Sequence, residues 1–148
     1  MKYQIIIDRE AKEDLRIGHP RQVYKVIEKY IDTSKNNYFI LILDGASFLK
    51  KIHILDGRKP IPELINKIFK EAISINASSI VTAYSSNLRN LKATDEDVKR
   101  IHELIESGKL LRINVLDHLI VSISGYYSFA DNNLAGLSKD EVWPYKPV

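Results

Sequence analysis

Hydrophobic and polar positions change period repeatedly along the chain, and each change marks an element. Lys2 to Asp8 reads as a strand. Pro20 opens a helix, because Val23, Val26, Ile27, Tyr30 and Ile31 recur at three and four and proline suits a first helical turn. Asn37 to Asp44 is almost continuously apolar, as a central strand covered on both faces must be. Asp44-Gly45 signals a turn, and Phe48 to Leu55 follows as a hairpin partner. Ile61, Leu64, Ile65, Ile68, Phe69, Ala72 and Ile73 line one face of the clearest amphipathic helix, spanning about 61–75. Ser78 to Tyr84 is a buried strand, and Ser85 to Ala93 is polar without a period, hence a loop. Thr94 caps a further helix whose first turn is acidic; Val98, Ile101, Leu104 and Ile105 form its apolar stripe, and Gly108 is read as its end. Val115 to Ile123 and Tyr126 to Ala130 are strands separated by a Ser124-Gly125 turn. The tail, 135–148, carries the single Trp, at 143, and reads as an irregular strap. Strands alternating with helices predict an α/β or α+β domain with a central mixed sheet flanked by helices.

Length and composition narrow the picture without naming a function. At 148 residues the chain suits one domain, 1–148, able to bury roughly two thirds of its unfolded surface. It has no cysteine, which excludes a disulfide scaffold, a cysteine nucleophile and thiolate metal sites. The longest apolar runs, such as Tyr38 to Leu43, fall far short of the ~20 residues that cross a bilayer. Met1-Lys2-Tyr3-Gln4 leads straight into a strand, unlike a secretion signal, so a cytoplasmic protein with no membrane role is expected. The net charge is only +3 and the basic residues are scattered, not gathered into the stripe that nucleic acid requires.

Read as bare chemistry, the catalytic inventory is thin. His19, His53, His102 and His118 form no i, i+2 or i, i+4 pair, and no Walker loop, His-Glu-x-x-His or Gly-x-Ser-x-Gly occurs. Asp117 and His118 are neighbours on a strand, so their side chains point to opposite faces and cannot form a dyad; a satisfied structural histidine is the simpler account. Thr94 and Asp97 are explained by a capping box.

Three stretches carry more than their bare chemistry. These are Ile80 to Ser86 with Asn90-Leu91-Lys92-Ala93-Thr94-Asp95-Glu96-Asp97, then Val115-Leu116-Asp117-His118-Leu119-Ile120-Val121, then Gly125-Tyr126-Tyr127-Ser128-Phe129-Ala130. Together they resemble the RadC family of the JAB/MPN (JAMM) metalloprotease superfamily, over roughly 17–134. Tyr38 to Asp44 resembles the first core strand, and Pro62 to Ala83 the helix and strand before the metal motif. The resemblance implies a cytidine-deaminase-like mixed sheet flanked by helices and a zinc ion held by two histidines and an aspartate. An open fourth position would hold water, a glutamate would take its proton and a serine would steady the oxyanion.

Carried onto this chain, the metal motif keeps its frame and loses its ligands. Asp97 falls at the aspartate position. Ser86, eleven residues earlier, and Tyr84, two before that, stand at the two histidine positions. Thr94 stands for the serine and keeps a hydroxyl; the glutamate position falls at Asn36, within about one residue on the same alignment. Serine and tyrosine are poor zinc ligands beside imidazole, and an amide cannot serve as a base. The expected site is therefore degenerate, with no zinc and no other cofactor, and Tyr84 plugging the space where the metal would be.

The function expected on this resemblance is a non-catalytic pseudo-metalloprotease that acts as a binding or docking module, in a DNA-repair setting. Its partner would be an unidentified protein or a second copy in a homo-oligomer, met through Tyr126, Tyr127 and Trp143. Two readings compete. One is a zinc-dependent peptide or isopeptide hydrolase that recruits a rearranged ligand such as His118. The other is a nucleic-acid-binding protein, motivated by a pI near 9.0 and the family's link to DNA.

Overall fold

A computed structural model describes residues 15–85 and 91–138, together with the backbone of the strand Tyr3–Ile6. In chain order the elements are β1 (Tyr3–Ile6), α1 (Pro20–Ile27), β2 (Asn37–Leu43), β3 (Leu49–Asp56), α2 (Ile61–Ser74), β4 (Ser79–Ser85), α3 (Asp95–Leu111), β5 (Asn114–Ser122) and β6 (Gly125–Ser128). The six strands form one mixed sheet in the order β1-β3-β2-β4-β5-β6. Every pairing is antiparallel except β4 with β5, and α3 supplies the crossover that a parallel pair needs.

The sheet is built around β2. All seven of its residues are buried, as its unbroken apolar run predicts, because both faces of the sheet are covered. On one face Tyr38, Tyr84 and His118 lie beneath α2 and α3, which contribute Leu64, Ile68, Phe69, Ile101 and Leu104 to the core. On the other, α1 buries Val23 and Ile27, and Tyr24 donates from its hydroxyl to the Ser122 carbonyl at 2.7 Å.

Two details depart from the sequence reading. Gly108 does not end α3. The helix runs on to Leu111 and closes with Arg112 in the left-handed region, the Arg112 amide bonding Lys109 O and the Ile113 amide bonding Gly108 O. This is a Schellman closure in which Arg112 takes the position glycine usually fills. Gly108 is glycine for another reason: a Cβ there would sit 2.5 Å from the Ile113 carbonyl oxygen. The second departure is a bulge. Ile80 pairs with Val115 but Val81 pairs with Asp117, so Leu116 is an extra residue in β5.

No helix among the described residues is long and apolar enough to cross a membrane. Trp143 and most of the tail lie outside the described residues.

Candidate functional site

The candidate site lies where the start of β2, the end of β4 and the first turn of α3 meet. Ser79–Ser85 is an alternating strand, so Thr82 and Tyr84 share a face, and the β2 register sets Tyr38 opposite Tyr84. Their ring centroids are 6.0 Å apart. Beyond them the bulge at Leu116 phases β5 so that His118 pairs with Thr82 on that face. His118 Nδ1 and Thr82 Oγ1 are 2.8 Å apart, and the ring lies 5.7 Å from Tyr38 and meets Phe129 edge-on at 5.1 Å. Burial keeps the Tyr38 phenol protonated far above its ordinary range, with the Thr82 hydroxyl pulling weakly the other way.

Gly57, in the turn after β3, closes the floor. Its amide donates to the Asn36 carbonyl at 2.9 Å, and a Cβ there would fall 2.5 Å from Tyr84 Cε1. The tyrosine ring therefore lies against bare backbone. What remains open is a recess of about 70 Å³ lined by Tyr38, Gly57, Tyr84, Asp97, Arg100 and His118, among others.

Asp97 enters from α3, where Thr94 and Asp97 make the predicted capping box. The Asp97 carboxylate accepts the Thr94 amide at 2.8 Å, and the Thr94 hydroxyl accepts the Asp97 amide at 3.1 Å. These bonds satisfy two amides that the helix start would otherwise leave without partners. Of the positions singled out in the sequence, the structure thus brings Tyr84 and Asp97 into one recess and sets Thr94 at its helical edge. Asn36 lies just before β2 and contributes its carbonyl to the Gly57 turn. Ser86 lies outside the described residues.

The described residues do not fit a zinc ion of the kind the resemblance implies. Such an ion needs neutral imidazoles beside its carboxylate. Here the Asp97 carboxylate is engaged in its cap, the His118 Nδ1 is engaged by Thr82, and a guanidinium shares the recess. Among the described residues no three His, Cys, Asp or Glu side chains gather closely enough to hold a metal.

On the opposite face the bulge buries Asp117 completely. Its carboxyl accepts the Ser128 hydroxyl at 2.6 Å, the His118 amide at 2.7 Å and the Ala130 amide at 2.9 Å. Burial pushes this carboxyl up to about 7, against the pull of those three bonds. The Asp117 and His118 side chains thus serve different neighbours, as strand alternation requires. Tyr126 and Tyr127 are half-buried, not exposed, with the Tyr126 ring 5.4 Å from Tyr24. Sequence reasoning missed Gly57 and Thr82. A lone glycine after a strand and a threonine inside one give no local sign of what they touch.

The sequence profile of a family described as RadC-like JAB domain matches residues 17–134. Among curated proteins, the chain is 28% identical over 123 residues to a UPF0758 protein of Geotalea uraniireducens, covering 80% of this chain and 54% of that protein. It is 35% identical over 71 residues to one of Roseiflexus castenholzii, covering 48% and 30%. With a UPF0758 protein of Methanosarcina mazei the identity is 25% over 119 residues, covering 78% and 52%. The chain spans about half the length of the Geotalea uraniireducens and Methanosarcina mazei proteins.

Proposed function

The chain belongs to the RadC-like JAB domain family, and from that membership we propose that it is a member without hydrolytic activity, a pseudo-metalloprotease that works as a binding or docking module. The observation that carries this reading is the seat of Tyr84. At the position where the resemblance calls for a ligand histidine, the chain carries a phenol ring, and that ring lies over Gly57 and beside Tyr38. A phenol is a poor substitute for imidazole on zinc. The space around it is filled, and only about 70 Å³ stays open. The glutamate position carries an asparagine, whose amide accepts no proton at neutral pH, so metal and base are lost together. The framework that would hold such a site is kept: the capping box, the parallel β4–β5 pair and the His118 network all support a domain maintained for its shape.

In this reading the domain acts in the cytoplasm through a protein partner or a second copy, in the DNA-repair setting that the resemblance implies. The test is the metal content of the untagged full chain, purified without chelator and then titrated with zinc in a calorimeter. We expect no stoichiometric metal and no heat of binding. Near-equimolar zinc that disappears in Asp97→Ala would restore a hydrolase reading.

A further inference from the structure

At the β6 edge the sheet ends in backbone groups that face outward. The Phe129 amide donates to the His118 carbonyl at 2.9 Å, which fixes the phase of the β5–β6 ladder. Bonded and unbonded pairs alternate along an antiparallel ladder, so Gly125 and Tyr127 turn their amides and carbonyls to β5, while those of Tyr126 and Ser128 point out of the sheet. Asn132 Nδ2 donates to the Ser128 carbonyl at 2.7 Å. No hydrogen bond among the described residues engages the Tyr126 N–H, the Tyr126 carbonyl or the Ser128 N–H.

Folds ordinarily guard such an edge with lysine, proline, a bulge or a covering element. β6 reads Gly-Tyr-Tyr-Ser and meets β5 without a register shift. Its tyrosines are half-buried: Tyr126 packs on Tyr24 and Tyr127 on Phe129, with ring centroids 5.4 and 6.5 Å apart. Ile123, in the turn that leads into the strand, is 71% exposed. Arg21 and Asp131, the exposed charges that act on the Tyr126 phenol, have opposite signs, so no field of one sign repels an approaching chain. What remains is a short, uncharged, aromatic strand with an open ladder, and another extended backbone is the partner that matches it.

The open row is self-complementary. With a twofold axis at Tyr127, antiparallel pairing sets Tyr126 of each copy opposite Ser128 of the other. The Ser128 amide donates to the Tyr126 carbonyl. The Tyr126 amide donates to the Ser128 carbonyl, which has a second lone pair beside the one that Asn132 takes. Tyr127 then meets its own copy in an unbonded pair, where side chains approach most closely. A surface patch that meets itself across a twofold axis is the commonest form of homo-oligomer.

We propose that two copies of this chain associate through β6, antiparallel about a twofold axis at Tyr127, so that each sheet continues into the other. The inference names the second copy for the docking reading and rests on that reading for its purpose alone. Zinc binding and self-association are measured separately, so either can fail without the other.

The test is sedimentation equilibrium of the untagged full chain. The joint is four residues long on each side, far smaller than the ~800 Å² per partner of a stable complex, so the dimer should form with a Kd of roughly 10–1,000 µM. Two variants at one position separate backbone from ring. Tyr126→Ala and Tyr126→Pro both remove the ring, but only proline removes the outward N–H, and no bond within the sheet goes with it. The alanine variant should dimerise within about fivefold of the wild type, and the proline variant at least about tenfold more weakly than the alanine one. Tyr127→Lys, which sets two like charges at the axis, should abolish association while circular dichroism stays native. A chain that stays monomeric to about 1 mM overturns the proposal, whatever other strand takes the edge. So does a dimer that either folded variant, Tyr126→Pro or Tyr127→Lys, leaves as strong as before.

Discussion

The Tyr84 ring occupies the volume that a side chain at Gly57 would need: a Cβ on Gly57 would stand 2.5 Å from Tyr84 Cε1. The two residues come from different strand ends and fit one space, a large ring on one and no side chain on the other. Gly57→Ala should therefore destabilise the fold by about 1–3 kcal/mol, the usual cost of forcing a methyl into a packed site. In a Tyr84→Ala background the same change at Gly57 should cost little further, a coupling that chemical denaturation of the single and double variants measures. Additive losses would mean that the ring and the turn are not in register.

Restoring imidazoles tests the alignment of the metal motif. Tyr84→His with Ser86→His, beside Asp97, should take up about one zinc ion, since two histidines and a carboxylate make an open tetrahedral site. Metal analysis after dialysis gives the stoichiometry. A folded double variant that binds no zinc would mean that the assigned positions are wrong.

Asp117 predicts a pH dependence of stability. Its carboxyl is raised from 3.8 to about 7 in the folded protein, so the fold holds this proton more tightly than the unfolded chain does. The contribution to stability is complete below about pH 4, declines as the pH rises and is lost above about pH 7. At 1.36 kcal/mol per unit the swing is at most about 4 kcal/mol. Asp117→Asn should flatten this part of the profile and gain on the wild type between pH 4 and pH 8. Denaturant midpoints for both proteins across that range give the answer, and parallel profiles would contradict it.

Gly108→Ala sets helix propensity against packing. Alanine is favoured in a helix interior by ~1 kcal/mol. Here its methyl would sit 2.5 Å from the Ile113 carbonyl and 3.3 Å from Val115 Cγ2. The backbone contact should win, giving a net loss of about 1–2 kcal/mol by thermal or chemical denaturation. A more stable variant would show that the Arg112 turn gives way easily.

Much of the fold was legible because it rests on local chemistry. The apolar run Tyr38 to Leu43 could only be a covered strand, and Thr94 with Asp97 spelled out the capping box that the structure contains. The misreadings share a physical cause. Gly108 was read for its backbone freedom, whereas its role is to lack a side chain where the chain returns at Ile113. Strict alternation back from Leu119 would put Val115 on the face of Asp117, but the extra residue at Leu116 moves it under α3. Tyr126 and Tyr127 are half-buried by residues far away in sequence or round a turn, Tyr24 of α1 against the first and Phe129 against the second. Tyr84 and Asp97 could be placed by resemblance, whereas the Gly57 floor belongs to a turn distant in sequence that only the tertiary fold brings beneath them.

α3 is a rod of 17 residues, about 25 Å long. Asp97 at one end faces the Tyr84 recess, and Glu106 and Lys109 near the other border a larger cleft of about 580 Å³. Both concavities therefore share one continuous helix as a wall, and the sequence of α3 answers to a different neighbour at each end.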